Sequence, residues 1–372
     1  MSIELNGSTG IDFNDGSNQS TAATPYARKN LIINGDMNIA QRGTSTASIT
    51  SSGYYTVDRF SFAPISIGTW TMSQDTDVPT GQGFAKSLKL QCTTADAAPA
   101  STDFLLLSQA LEGQNLQHLK KGTANAESLT VSFWVKAYAT GTYVVELADI
   151  DNSRSISKSF TIDAAGTWEK KTITYAGDTT GTLDNDNGGS LYLYFWLGAG
   201  TDFTSGTLAT SWESTTNANR AVGISNLAAS TSDYINITGL QLEVGDAASD
   251  FEFVPYDMEL ARCQRYYYKL VSGTQQAFAV GVNVTTALAG AYIKFPTSMR
   301  STPSGDFASG TDYYQFERGG GSDPFNSFII NRANTEGCYI YNGSEISGTA
   351  GQAGWMYTKD NSAAYIGFTS EL

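Results

Sequence analysis

The segment SLYLYFWLG sets Tyr192, Tyr194 and Trp196 on one side of an extended strand and Leu191, Leu193, Phe195 and Leu197 on the other. Side chains two apart on a strand stand about 6.6 Å from one another, close to the repeat of successive sugar rings. Flat aromatic faces take the C–H patches of a sugar, and amide and carboxylate side chains take its hydroxyls. The same alternation also suits a strand running between a core and a covering layer or a neighbouring subunit. Trp134, in SLTVSFWVKA, and Trp212 are the tryptophans expected to be the more exposed, with Trp70 and Trp168 behind them.

Other reactive groups are sparse. DNDNGG places Asp184, Asp186 and Gly188 at alternate positions, as the start of a calcium loop does, but it lacks the later bidentate Glu and reads more simply as a turn. His118, in LEGQNLQHLKKG, is the one histidine, and no serine or cysteine motif accompanies it. GISN, at Gly223–Asn226, lacks the second glycine of a nucleophile elbow. A glycosidase needs two carboxylates about 5 to 10 Å apart, and 36 acidic residues offer no pair that spacing singles out. With one His and three widely separated Cys (Cys92, Cys263 and Cys338), neither a multi-histidine zinc centre nor a disulfide framework is expected. The expectation is a non-enzyme without a cofactor, assembled in a reducing cytoplasm.

The elements that position these residues are mostly strands. The 372 residues include 37 Gly, 20 Tyr and 18 Phe, and only 16% are charged, below the roughly 25% of an average soluble domain. Such a chain favours short strands between many turns. The formal charge of −14, with acidic residues outnumbering basic ones in every part of the chain, argues against a nucleic-acid partner or an anionic membrane surface. No apolar run reaches the length of a membrane span, and the N-terminus has no signal-peptide pattern.

Residues 1–29 read as two short alternating strands around NGSTG, too small to fold alone. Residues 30–245 carry about ten strand signals, a count that suits a two-sheet sandwich or jelly roll. In the linker 246–272, DMELARCQRYYYKL predicts a helix from Asp257 to Leu270 with Asp257 as N-cap. Its stripe of Leu260, Cys263, Tyr267 and Leu270 would dock on a domain or line a symmetry axis. Tyr266, Tyr267 and Tyr268 would then point 100° apart and pack between domains. Residues 273–372 read as a second, smaller β-sandwich. The fold class expected is all-β: a jelly roll, a short helix and a C-terminal β domain.

Several segments together resemble a family of tailed-bacteriophage fibre and tail-tip proteins. They are NLIINGDMNIAQRGTS (Asn30–Ser45), YYTVDRF (Tyr54–Phe60), ITGLQLEVGDAASDFEFVPYDMELARCQRYYYK (Ile237–Lys269), FPTSMRSTPS (Phe295–Ser304) and AAYIGFTSEL (Ala363–Leu372). ELNGSTGIDFNDGSNQSTAA is similar to a module at the head of many phage fibre proteins. FTIDAAGTWEKKTITY and LYLYFWLGAG resemble later strands of carbohydrate-binding-module jelly rolls.

The resemblance implies a virion structural protein, a homotrimer attached to other phage tail proteins through residues 1–29. It would bind a host cell-surface glycan without cleaving it, with Tyr192, Tyr194, Trp196, Trp134 and Trp212 as the aromatic contacts. The alternative is a purely architectural subunit such as a tail adaptor, head fibre or capsid decoration; a depolymerase is a third reading. In such modules the first and last strands lie together, often around a structural calcium. Asp36, Gln241 and Glu243 are the matching oxygen donors here, although Met37 and Asn38 depart from the usual pattern and one usual carboxylate is missing.

Overall fold

The computed structural model describes residues 29–372 and, within the first 28, the backbone of three short strands, Glu4–Asn6, Gly10–Asp12 and Asn18–Gln19. The first two pair antiparallel around NGSTG, with Leu5 opposite Ile11, as the alternation predicts. The expected attachment segment, 1–29, otherwise lies outside the described residues.

Residues 45–244 form a jelly-roll sandwich of two antiparallel sheets. One has the order Glu169–Tyr175, Leu129–Ala137, Tyr234–Val244, Ser87–Thr94, Thr69–Asp75, Ser45–Ile49. The other runs Glu213–Ser214, Arg154–Ile162, Gly141–Asp149, Gly189–Ala199, Phe104–Glu112, Ser61–Ile65, Gly53–Tyr54. Successive strands cross repeatedly between the sheets, so each inward face is sealed by residues far off in sequence. Val131, Phe133 and Val135 point into the core from one sheet, and Leu191, Leu193, Phe195 and Leu197 meet them from the other. Phe133 packs edge-on to Phe160 and Phe195, with centroids 5.1 and 5.0 Å apart. Contacts of this kind add about 0.5–1.5 kcal/mol beyond the area they bury.

The leading segment closes onto the last sandwich strand. Leu31 N–H donates to the Leu242 carbonyl at 2.9 Å, and Leu240 N–H to the Gly35 carbonyl at 2.9 Å. A β-carbon on Gly35 would fall 2.1 Å from the Leu240 oxygen, so only glycine permits this approach.

The helix is shorter than predicted. It spans Tyr256–Gln264 behind Pro255, with Asp257 inside the first turn and not at the N-cap. Leu260 and Cys263 do pack inward, against Ile33, Ile39 and Tyr266. Tyr267 and Leu270 are not on the helix: they belong to the strand Tyr267–Ser272, paired with Tyr365–Thr369. The run Tyr-Tyr-Lys-Leu-Val has strand character, and a distant strand supplies its hydrogen bonds. Tyr267 and Tyr268 therefore face opposite sides of a sheet, and the 100° argument does not apply.

That strand pairs into the C-terminal β unit. A small sheet, Tyr267–Ser272, Tyr365–Thr369, Ser304–Phe307, packs on a larger one. The larger has the order Gly321–Phe325, Tyr314–Arg318, Ala353–Thr358, Ala277–Asn283, Ala289–Lys294, Gly337–Asn342, Ile329–Asn334. Phe295, Phe316, Met356, Ile366 and Phe368 lie in the core between them. No helix among the described residues is long and apolar enough to cross a membrane.

The two β units meet through charge. Arg59, fully buried, pairs with the Glu371 carboxylate, donates to the Ala110 carbonyl at 2.8 Å and lies 3.4 Å from the Tyr266 ring centroid. Arg42 reaches the same Glu371 at 3.3 Å and lies 3.6 Å from the Tyr267 ring centroid. Arg265 forks onto Glu112 at 2.8 and 2.7 Å. Arg300 binds the Ser370 and Glu371 carbonyls at 2.7 and 3.0 Å and the Asn187 carbonyl at 2.9 Å. Asp58, beneath this network, accepts from the Gln41 backbone at 2.9 Å. Burial above all pushes its carboxyl up to about 6, against the pull of Arg42 and Gln41.

Two outcomes follow from this junction. Glu371→Ala strands the Arg59 guanidinium without its counter-charge, at a cost of about 3–5 kcal/mol. The urea midpoint should fall accordingly with the slope of the transition unchanged. Asp58 holds its proton more tightly in the folded chain than in the unfolded one, so its contribution to stability is complete near pH 4 and is lost as the pH rises through about 6. Asp58→Asn should therefore gain on the wild type by roughly 3 kcal/mol across that interval, measured by urea unfolding at each pH; a constant difference would refute the assignment.

Candidate functional site

The aromatic row exists as geometry. Tyr192 and Tyr194 stack with centroids 5.7 Å apart and planes 24° apart. Their strand lies between Gly141–Asp149 and Phe104–Glu112, and the partner positions opposite them include Ala148, Ala110 and Ser108. Glu146 also lies opposite Tyr194, and both rings are half-buried, Tyr194 packing against the Trp196 cluster.

The third member of the row is closed off. Trp196 is 1% exposed, its indole N–H donates to Glu146 at 2.7 Å, and Phe203 and Phe104 pack on it at 5.2 and 6.2 Å. Arg220 lies 5.5 Å from the Tyr194 ring and 4.9 Å from the Trp196 ring, with its guanidinium forked onto Glu146. Trp196 is therefore a packing residue and is not available as a glycan contact.

The remaining predicted residues are dispersed. Trp134 is half-buried on the outer side of the other sheet, opposite Lys170 and Thr238. Trp70 is in the core, and the Trp168 indole donates to Asp77 at 2.9 Å. The proposed calcium donors form two separate hydrogen-bonded networks. Asp36 accepts from Asn38, and burial raises its carboxyl above the ordinary value. Glu243 accepts from the Gln241 amide at 2.8 Å and from the Ser249 backbone and hydroxyl at 2.8 and 2.7 Å. Among the described residues, no group of three His, Cys, Asp or Glu side chains comes together to hold a metal ion. In DNDNGG, Asp186 accepts from the Gly188 N–H at 2.8 Å, an ordinary turn closure.

Among the described residues, openings of ligand-site size include two of interest. One, of about 450 Å³, lies against the junction and is lined by Leu31, Leu116, His118, Glu112, Arg262 and Arg265. Its arginines are paired, Arg262 with Glu259 at 2.9 Å and Arg265 with Glu112. Burial raises the Glu112 carboxyl, but the hydrogen bonds from Arg265 and Tyr266 outweigh it and hold the group below its usual range. Burial also lowers the His118 imidazole.

The other, an open cleft of about 380 Å³, contains the predicted Trp212. Three pieces of chain build it: the strand Arg154–Ile162, the loop at 176–180 and the segment ahead of Glu213–Ser214. That last strand pairs with Arg154 and Ser155, and the Ser157 N–H donates to the Ala209 carbonyl at 2.7 Å, pinning the segment to the sheet edge. The Trp212 indole donates to the Ala176 carbonyl at 2.8 Å, which fixes the ring, and Lys121 Nζ lies 5.4 Å from its centroid.

Asp178 anchors the floor of this cleft. It accepts from Nε and Nη2 of Arg154, at 2.7 and 3.0 Å, and pairs with Lys121 at 3.0 Å. Burial raises its carboxyl, but these partners and the Thr180 N–H outweigh it, so the group stays below its usual range and ionised. Thr179, Thr210, Ser211 and Lys158 complete a polar rim. Such a cleft can take a neutral polyol: indole against C–H, hydroxyls and ammonium against hydroxyls.

Sequence reasoning found Trp212 but missed Arg154, Lys158 and Asp178. They come together only through strand pairing, and no local spacing announces them. It also missed an exposed aromatic face on the C-terminal sheet, for which GWMYTK and LAGAYIKFP do hold the alternation.

No protein-family model and no curated protein matches the chain. Among solved structures, the enzymatically active domain of tailspike protein 4 of bacteriophage CBA120 is similar at 13% identity and TM-score 0.30, over 58% of this chain and 21% of that one. The CBM22-1 xylan-binding domain from Paenibacillus barcinonensis is similar at 13% identity and TM-score 0.26, over 60% and 100%. A family 11 carbohydrate-binding module from Clostridium thermocellum, in complex with a β-1,3-1,4-mixed-linked tetrasaccharide, is similar at 10% identity and TM-score 0.27, over 55% and 98%. The chain thus spans about a fifth of the tailspike domain's length. Likeness at this level leaves ligand and role to be argued from the chain's own residues.

Proposed function

We propose that this chain is a structural protein of a tailed-phage virion, a fibre or tail-tip component, that holds a host cell-surface glycan without cleaving it. The glycan-holding part is carried by one observation: a fixed indole, Trp212, lines an open cleft of about 380 Å³ together with threonine and serine side chains and Lys158, within the size range of small-molecule sites. The phage part is supported by the five sequence segments quoted above. In this reading residues 1–29 attach the protein to other tail proteins, and several copies per particle raise weak single-site binding by ~100-fold or more.

Binding without hydrolysis accords with the carboxylate in the cleft. Asp178 is committed to Arg154 and Lys121 and is held ionised, whereas glycoside cleavage needs a protonated acid beside a second carboxylate. The architectural alternative is favoured by a different observation. Trp196 is consumed by packing, and the rings of Tyr194 and Trp196 share Arg220.

A glycan array and a whole-cell pull-down with the full chain separate the readings. Selective binding is expected, falling at least tenfold in Trp212→Ala and falling also in Thr210→Ala, an exposed rim position, with thermal unfolding of the second variant matching the wild type. Silence of the wild type across arrays and host strains supports architecture. Release of reducing ends from a host polysaccharide would make it a depolymerase.

A further inference from the structure

The strand Ala353–Thr358 of the larger C-terminal sheet divides its side chains between two environments. Met356 and Thr358 are buried, Met356 in the core of the unit, while Trp355 is 61% exposed and Tyr357 is half-buried. Trp355 and Tyr357 therefore share the outer face, about 6.6 Å apart along the strand.

The neighbouring strand Tyr314–Arg318 sets a polar group beside each ring. Glu317 stands opposite Trp355, and Gln315 opposite Tyr357. Glu317 is exposed and accepts from the Tyr357 hydroxyl at 3.0 Å, which fixes the phenol. The Gln315 amide has no hydrogen-bond partner among the described residues, so its donor and acceptor are open to a ligand. On the other flank Val280 lies opposite Trp355 and Ala277 opposite Tyr357. Two rings thus lie between a hydrogen-bonding row and an aliphatic one. A sugar has the matching division, a C–H face for the rings and a rim of hydroxyls for carboxylate and amide.

Size and charge narrow the occupant. Two aromatic side chains bury about 150–250 Å² each, roughly 300–500 Å² together, whereas a specific protein interface takes about 800 Å² from each partner. The patch does not extend smoothly beyond its aliphatic flank, because the next strand sets Gly290 opposite Val282. A short run of sugar rings fits this area. The charges beside the pair are negative: Glu317, and Asp360 within electrostatic reach of Tyr357. Lys359, just past the strand, is paired with Asp312 at 3.4 Å. Carboxylates accept from sugar hydroxyls and repel an anionic ligand.

We propose that Trp355, Tyr357, Glu317 and Gln315 form a second sugar site, which takes a neutral oligosaccharide lying along the strand Ala353–Thr358. The site extends the glycan reading to the C-terminal unit and uses none of the residues of the Trp212 cleft. It is tested by titrating short neutral oligosaccharides, and a uronate-bearing one of equal length, into the full chain and its variants. Trp212→Ala should still bind the neutral sugars, and the uronate at least tenfold more weakly. Adding Trp355→Ala to that variant should lower the remaining affinity by about tenfold or more with thermal unfolding unchanged, and Trp355→Phe, which keeps a ring, should recover most of it. Glu317→Ala should weaken the same binding. If Trp212→Ala abolishes all sugar binding, or Trp355→Ala changes nothing in that background, this site is overturned and the cleft reading stands. Loss on Trp355→Ala with none on Trp212→Ala supports this site and removes the cleft; a wild type silent to every sugar overturns both.

Discussion

A guanidinium with no access to water holds the two halves of this molecule in register. Removing Arg59 from solvent carries a desolvation penalty of several kcal/mol, which only good geometry offsets. The offset comes from both units at once: the Ala110 carbonyl from the jelly roll, and the Tyr266 ring and Glu371 carboxylate from the C-terminal side. Neither unit satisfies this cation alone. The surrounding pairs, Arg42 with Glu371 and Arg265 with Glu112, repeat the pattern around the same seam.

Five segments far apart in sequence converge on this seam. NGDMNIAQRG supplies Gln41 and Arg42, YYTVDRF supplies Asp58 and Arg59, ELARCQRYYYK supplies Arg265, Tyr266 and Tyr267, FPTSMRSTPS supplies Arg300, and FTSEL supplies Glu371. What looked like scattered landmarks along the chain is one structural unit. The cleft at Trp212 lies outside this seam.

Local pattern was a good guide where a single period decides the outcome. SLTVSFWVKA and SLYLYFWLG alternate strictly, and Val131, Phe133, Leu193 and Phe195 do line the core. It failed where distant chain competes. The spacing of Leu260, Cys263, Tyr267 and Leu270 is helical, yet the partner strand Tyr365–Thr369 offers Tyr267 onward a ladder that no local window contains. Trp196 looked as open as Tyr192 because its cover, Phe203 and Arg220, comes from a later segment held by Glu146. Trp355 alternates with Met356 as plainly as Tyr192 does with Leu193, but alternation cannot say which face of a two-sided apolar sheet meets water.

The partners of Arg59 lie very far apart along the polypeptide: Glu371 is 312 positions downstream. During synthesis the jelly-roll strands emerge from the ribosome long before their counter-ion does. Until the closing strand arrives, the seam holds an uncompensated positive charge in a half-built wall. The order of synthesis therefore places the closing of this seam last, when the residues after Tyr365–Thr369 are available.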